Sequence, residues 1–342
     1  MRSISPKAFY ILALCILLLT SCKKHPSPDI SFYYWKTEYK LNQPTKDLLR
    51  EVPVKSIYLR FFDIRWDDQQ AEALPVSPVK FTQRNSIAAI TPVIYITNKT
   101  FLRIRKTEIN TLAANTFRLI EAIAQKQHIS YTNIQIDCDW TLKTKEPYFH
   151  YLKNLQQLSK KKLEATIRLH QVKYKSLTGV PPVTNGVLMF YNMGKLNADL
   201  NIPSSIYNET EAAKYIDYLK TYPIHLNFAL PLFSWIVHTR NGKVLGLYNQ
   251  MLRSDIEGKT EFSPVKNGFK AQKSFFFRGI YVKENDIFKL EETTTELLEA
   301  AAAQLSTALP ENNKQILIFY ELANLDPTEF NAEKLRKISD RF

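Results

Sequence analysis

Glycine is scarce in this chain, with 8 in 342 residues, and none precedes Gly179. A dinucleotide fingerprint or a P-loop needs glycines where backbone must approach phosphate, so the N-terminal half can hold neither, and no later pair of glycines has that spacing. Nucleotides are therefore not expected as cofactors. Cysteine is scarcer still: Cys15, Cys22 and Cys138 are the whole complement. If Cys15 leaves with a signal peptide and Cys22 is committed to lipid, Cys138 alone cannot build a zinc-cysteine site; no His-x-x-x-His pattern supplies another, and neither a metal nor any other cofactor is expected. Acid is outnumbered, 33 carboxylates against 46 Lys and Arg, for a net charge of +13. The basic residues are spread along the whole chain, which reads as a solvated surface that would attract anionic glycans, lipopolysaccharide or headgroups rather than as a focused patch.

The one long apolar run lies at the start. Arg2 and Lys7, with no acid among them, precede Ala8 to Leu19, and the run closes on Leu19-Thr20-Ser21-Cys22. A membrane span needs about 20 apolar residues, so residues 1–21 read as a signal peptide. Its ending resembles the bacterial lipobox, which implies diacylation of Cys22 and a stable membrane anchor, each buried CH2 contributing about 0.8 kcal/mol. Lys23 stands where an inner-membrane retention signal would place Asp, which favours the outer membrane, and no acidic run follows to direct the protein outward. The expectation is a cell-envelope lipoprotein facing the periplasm, with residues 22–30 as lipidated cysteine and tether and 31–342 as the folded body. Export argues against nucleic acid as a ligand. With Cys15 removed and Cys22 committed to lipid, Cys138 stands alone and no disulfide framework is possible.

Short runs rich in Val, Ile, Tyr and Phe recur between amphipathic stretches, the alternation of repeated βα units. Eight are predicted: Ser31–Trp35, Ser56–Asp63, Ala89–Thr97, Asn133–Trp140, Glu164–Val172, Val187–Met193, His225–Trp235 and Gln315–Leu322. Helices are predicted over Ile109–Lys126, Glu146–Lys160, with Tyr148, Tyr151, Leu152, Leu155 and Leu158 on its core face, and Thr294–Leu309. Asn208 three before Glu211, Thr293 three before Glu296, and Asp326-Pro327 followed by Glu329 have capping-box spacing. Eight strands alternating with helices give a (β/α)8 TIM barrel, a monomer, with an open doubly wound sheet as the competing topology. About sixty residues separate the seventh strand from the next helix. They contain an Asn241-Gly242 turn and two apolar runs, Ile280–Val282 and Ile287–Lys289, that read as a hairpin, so a small α+β insertion at about 240–292 is expected at the catalytic face.

Alternation along the fourth strand places Gln135, Asp137, Asp139 and Thr141 on one side, with Ile134 and Ile136 facing the helices. Two carboxylates rising toward a barrel rim are costly unless bonded or functional, and their proximity should raise one pKa. They either tie the barrel together or do chemistry.

The segment Ile136-Asp137-Cys138-Asp139-Trp140-Thr141 resembles the D-x-x-D-x-D-x-E signature of the family-18 chitinases. Met189-Phe190-Tyr191-Asn192-Met193-Gly194 is similar to their sixth-strand Met-x-Tyr-Asp, and Ala229-Leu230-Pro231-Leu232-Phe233 to their seventh-strand segment, after which many members carry an extra domain. The resemblance covers about residues 130–330 and implies a sugar site containing Asp137, Asp139, Trp140, Tyr191 and Asn192. It departs from the family where Ile134 replaces the first Asp, Asn192 the sixth-strand Asp, and Thr141 the Glu that protonates the glycosidic oxygen. A hydroxyl cannot supply that proton near neutrality, so the family's hydrolysis cannot run as written.

Arg60, Asp63 and Trp66 after the second strand, Arg168 and His170 on the fifth, Trp235 ending the seventh, and Tyr320 with Glu321 ending the eighth complete the candidate site. His170 alternates with Arg168 as a ligand contact or sits in the core. Glu321 is a substitute acid or the ion-pair partner of Arg168 or Arg60. The tryptophans are sugar platforms or core. Three functions stand open: a glycan-binding barrel for peptidoglycan or an oligosaccharide, a glycoside hydrolase using Asp137, Asp139 or Glu321, and a structural lipoprotein.

Overall fold

The structure is a computed structural model that describes residues 27–83, 88–249, 251–309, 314–326 and 329–342. The signal peptide, Cys22 and most of the tether lie outside the described residues, as does Pro327.

Eight parallel strands form the barrel: Asp29–Tyr34, Val54–Asp67, Ala89–Ile96, Asn133–Asp137, Lys162–Arg168, Asn185–Met189, His225–Pro231 and Ile316–Tyr320. Each pairs with its sequence neighbour, and the first closes the ring by pairing with both the eighth and the second. Every strand expected from sequence is present, and closure rules out the open sheet. The second strand runs past the barrel and folds back on Glu72–Val76 as an antiparallel hairpin.

Strand alternation sorts the side chains into two cores. Ile134 and Ile136 point outward into the main cluster, against the helices Ile109–Gln127 and Lys145–Ser159. Tyr33, Tyr58, Val93, Val187, Ala229 and Ile318 point inward and fill the barrel. On the helix Lys145–Ser159 the face carrying Tyr148, Tyr151, Leu152 and Leu155 is buried, whereas Leu158, at the edge of that face, is exposed. Asn208 caps the helix Glu209–Leu219 through the Glu211 N–H (2.9 Å), whereas the cap of Thr295–Ser306 is Thr294, which accepts from the Leu297 N–H (3.3 Å), and not Thr293, whose hydroxyl donates to the Phe233 carbonyl instead. The capping signal at Asp326-Pro327 runs into residues outside those described. The last helix, Ala332–Ser339, is capped by Asn331, whose side chain accepts from the Lys334 N–H.

Strand ends differ from the sequence reading where a turn wins over apolar continuity. The fourth strand stops at Asp137, so Asp139, Trp140 and Thr141 belong to the loop that follows. The fifth stops at Arg168, because the Gln171 side chain accepts its N–H (2.8 Å) and starts a short helix at Leu169. His170 thus sits on that helix, not on the strand.

Between the seventh strand and the helix Thr295–Ser306 a five-stranded antiparallel sheet forms, in the spatial order Lys243–Tyr248, Trp235–Arg240, Ile287–Glu291, Gly268–Ala271, Phe262–Val265. It begins at Trp235, earlier than expected, and the turn at Asn241-Gly242, with φ of 50° and 72°, joins its first two strands. Its described elements are strands and one 3-10 turn at Arg253–Asp255, with no α-helix among them. Ile280–Val282 does not pair with Ile287–Glu291. It forms a separate ribbon with Phe275–Phe277, while Ile287–Glu291 pairs with Trp235–Arg240 and Gly268–Ala271. Burying Phe262, Phe269, Phe277 and Phe288 gives the insertion a core of its own.

Candidate functional site

The C-terminal ends of the strands open into a cleft of about 940 Å³, walled on one side by the insertion. Such a volume lies in the range of small-molecule sites, and its place at the C-terminal mouth of the barrel is where βα loops carry chemistry. Of the sequence-predicted residues, Asp137, Asp139, Arg168, Tyr191, Asn192, Trp235, Tyr320 and Glu321 all line it.

Asp137, the last residue of the fourth strand, forms part of the floor. Its Oδ1 accepts from the Thr166 hydroxyl (2.6 Å). Burial raises its carboxyl to about 6, Asp139 and Asp63 add to the rise, and Arg168 with the Thr166 bond works the other way. The expected coupling to Asp139 is therefore real but secondary to desolvation. Asp139 stands higher and open to solvent. Arg168 grips it with a two-pronged fork, Nε to Oδ1 and Nη2 to Oδ2, the second at 3.2 Å. This geometry fixes the guanidinium plane across the mouth of the fifth strand.

Glu321 lies across the cleft, just beyond the cis peptide that follows Tyr320. Burial raises its carboxyl above the usual range, opposed by Lys36 and a backbone N–H from Trp35. Its Oε1 accepts from the Asn324 amide. Neither expected arginine is its partner: Arg168 holds Asp139, and Arg60 donates to Asp63 (2.7 Å) in a buried pair that also binds Arg65. Arg60 and Asp63 do not line the cleft.

A cluster of aromatic rings lines part of the remaining wall. Tyr191 stacks on Tyr320 with ring centroids 5.7 Å apart. Phe233 meets Tyr191, Trp235 and Tyr320 at 5.2 to 6.0 Å. Trp35 contacts Tyr33, Tyr95 and Tyr320. Trp235 is held by its indole N–H, which donates to Glu291 (2.7 Å), and Glu291 is ion-paired with buried Lys289 (3.2 Å) and accepts from the Ser205 N–H and hydroxyl. The insertion thereby locks one cleft ring and the loop after the sixth strand into one unit.

Trp140, His170, Arg60 and Thr141 stand outside the cleft. Trp140 is buried, its indole donating to the Thr178 carbonyl (3.0 Å) and its ring packed on Tyr148 and Phe149, because alternation ends with the strand at Asp137. His170 faces solvent and, like Arg60, has no part in the cleft. Thr141 is also outside it. Its N–H donates to the Thr144 hydroxyl (2.8 Å) at the start of the next helix, so it does not share a face with Asp139. Reading from sequence missed Trp35, Tyr95 and Phe233, although an aromatic at the end of the first strand was a visible signal, and missed the insertion's own wall, Met251, Leu252 and the Arg253–Glu292 fork. Among the described residues no group of three or more His, Cys, Asp or Glu is placed to hold a metal ion.

Several solved structures share this architecture. The spore cortex-lytic enzyme SleL of Bacillus cereus superposes with a TM-score of 0.55 at 13% identity, over 93% of this chain and 75% of that one. A chitinase of Rhizomucor miehei gives 0.52 at 11% identity, over 91% and 99%. The fold is that of the chitinase-like barrels. A chitinase-like agglutinin of Robinia pseudoacacia has it too, at 0.53 and 10% identity over 91% and 98% of the two chains. No family model matches the sequence. No curated protein matches it either.

Proposed function

We propose that this chitinase-like barrel is a glycan-binding protein of the cell envelope, taking an N-acetylated oligosaccharide or a peptidoglycan fragment without hydrolysis by the family's route. The observation that carries the reading is the cleft itself: the rings of Trp35, Tyr191, Trp235 and Tyr320 line it together with the carboxylates of Asp137, Asp139 and Glu321. Pyranose rings present an apolar face and a hydroxyl edge, and this wall matches both. Loss of hydrolysis follows from Thr141, which brings neither a carboxyl nor a place in the cleft. That an agglutinin and lytic enzymes share the fold is consistent with either binding or cleavage.

Anchoring through acylated Cys22 to the outer membrane, on the periplasmic side, belongs to the same proposal. No helix among the described residues is long and apolar enough to cross a membrane. The chain enters the barrel at the end opposite the cleft, where Ser27 bonds Asp340 and the Pro28 carbonyl accepts from Ser339, so an anchor there leaves the cleft facing away from the lipid. Palmitate labelling that is lost in Cys22→Ser supports the anchor, and labelling that persists refutes it.

A rearranged hydrolase is the second reading, and the Asp137 carboxyl near 6 favours it, since that group carries a proton close to neutral pH. Incubating the protein with N-acetylglucosamine tetramer separates the readings. Binding with no new reducing ends supports the first. Turnover that Asp137→Asn or Glu321→Gln abolishes in folded protein establishes the second, and neither binding nor turnover leaves the barrel as a structural lipoprotein.

A further inference from the structure

Phe276 is the most exposed large apolar side chain among those described, with 75% of its surface in water, and Tyr281 directly opposite it is 48% exposed. Both sit on the Phe275–Phe277 and Ile280–Val282 ribbon, where the neighbouring residues Phe277 and Val282 point inward to the insertion's core. The two rings face solvent together, centroids 5.2 Å apart and planes inclined at 50°. Folding alone does not call for this placement, because the inward residues already pin the ribbon.

What surrounds the rings limits what they can meet. Gln272, Lys273, Ser274, Arg278, Lys283 and Glu284 are all exposed, so the apolar area is an island two rings wide. A stable protein interface needs about 800 Å² on each partner, far more than this island offers. One or two sugar rings need only an aromatic face with polar groups around it for their hydroxyls. The ribbon also adjoins the cleft: Arg278 is ion-paired with Asp255 (2.6 Å), and Ser254 and Glu257 on either side of Asp255 line the cleft rim. The ribbon belongs to the insertion at the cleft end of the barrel, away from the end where the N-terminal segment enters.

The geometry points to Phe276 and Tyr281 as an outer stacking site for a polymeric glycan whose chain continues out of the cleft over the insertion. It rests on the glycan reading of the cleft and assigns the protein a preference for polymer over short oligomers.

The test uses the mature protein in detergent and the double variant F276S/Y281S, whose changes are on the surface and leave the core intact. Retention on insoluble peptidoglycan sacculi and on colloidal chitin should fall about tenfold in the variant, the loss expected for an aromatic stacking contact, while calorimetric affinity for N-acetylglucosamine tetramer stays within about twofold. Unchanged retention on polymer overturns the site, as does an equal loss of tetramer affinity. Ribbon-dependent binding to phosphatidylglycerol vesicles, with polymer retention unaffected, makes it a membrane contact instead. The cleft reading fails separately: wild type that binds no tetramer but keeps ribbon-dependent retention on polymer refutes the cleft and upholds the ribbon.

Discussion

Among the arginine–carboxylate forks of this molecule, Arg240–Asp286 in the insertion and Arg168–Asp139 in the barrel mouth differ in what else reaches the carboxylate. Asp286 is fully enclosed. Arg240 binds both its oxygens at 2.7 Å, His238 Nε2 lies 2.8 Å from Oδ2, and the Lys283 N–H donates to it at 2.8 Å. Burial pushes that carboxyl up, but these partners outweigh it and hold it at about 2. Asp139 receives Arg168 and has more than half of its side chain in water. A saturated fork specifies structure, whereas one left open at a cavity presents charge and hydrogen-bonding capacity to a ligand.

The contrast is broken most forcefully from the closed side. Asp286→Ala leaves Arg240 and buried His238 without their shared partner, and the expected cost is about 3 to 5 kcal/mol, read from urea denaturation. A cost below about 1 kcal/mol would put the insertion's fork on a par with an exposed pair.

Asp137 gives the next largest effect, and it depends on pH. Its folded-state carboxyl sits near 6 against 3.8 in the unfolded chain, so its stabilising contribution is complete below about 3.8 and is lost as pH rises through 6. Asp137→Asn removes that titration. Relative to wild type, the variant should gain about 3 kcal/mol in unfolding free energy between pH 3.5 and 7.5. A flat difference across that range would mean that Asp137 does not titrate abnormally.

The smallest effect is at Thr141. Since its side chain lies outside the cleft, Thr141→Glu should change stability by no more than about 0.5 kcal/mol and create no hydrolysis. Release of reducing ends by that variant would show that the loop after Asp137 swings Thr141 into the site.

These differences also mark what the sequence makes legible. The eight barrel strands are readable because Val, Ile, Tyr and Phe crowd into runs that only a sheet buried on both faces requires. Asp137, Asp139, Tyr191 and Tyr320 are readable because strand order places them at one rim. Trp140 is not, because alternation holds only while the strand lasts, and a turn bonded through Thr141 and Thr144 ends it. The Gln171 bond to the Arg168 N–H moves His170 off the fifth strand in the same way. The cleft wall from the insertion is hidden for another reason: Arg253 and Glu292 lie 39 residues apart and meet only once the five-stranded sheet has formed.

The open fork and the rings around it are proposed together as the glycan site. Its most direct test is calorimetric titration of N-acetylglucosamine tetramer into wild type and Asp139→Ala, an exposed change expected to cost less than about 1 kcal/mol of stability. Saturable heat is expected with wild type, and affinity at least about tenfold weaker in the variant, the loss of a charge-assisted contact. Equal affinity in the two proteins, or no heat from wild type, would contradict it.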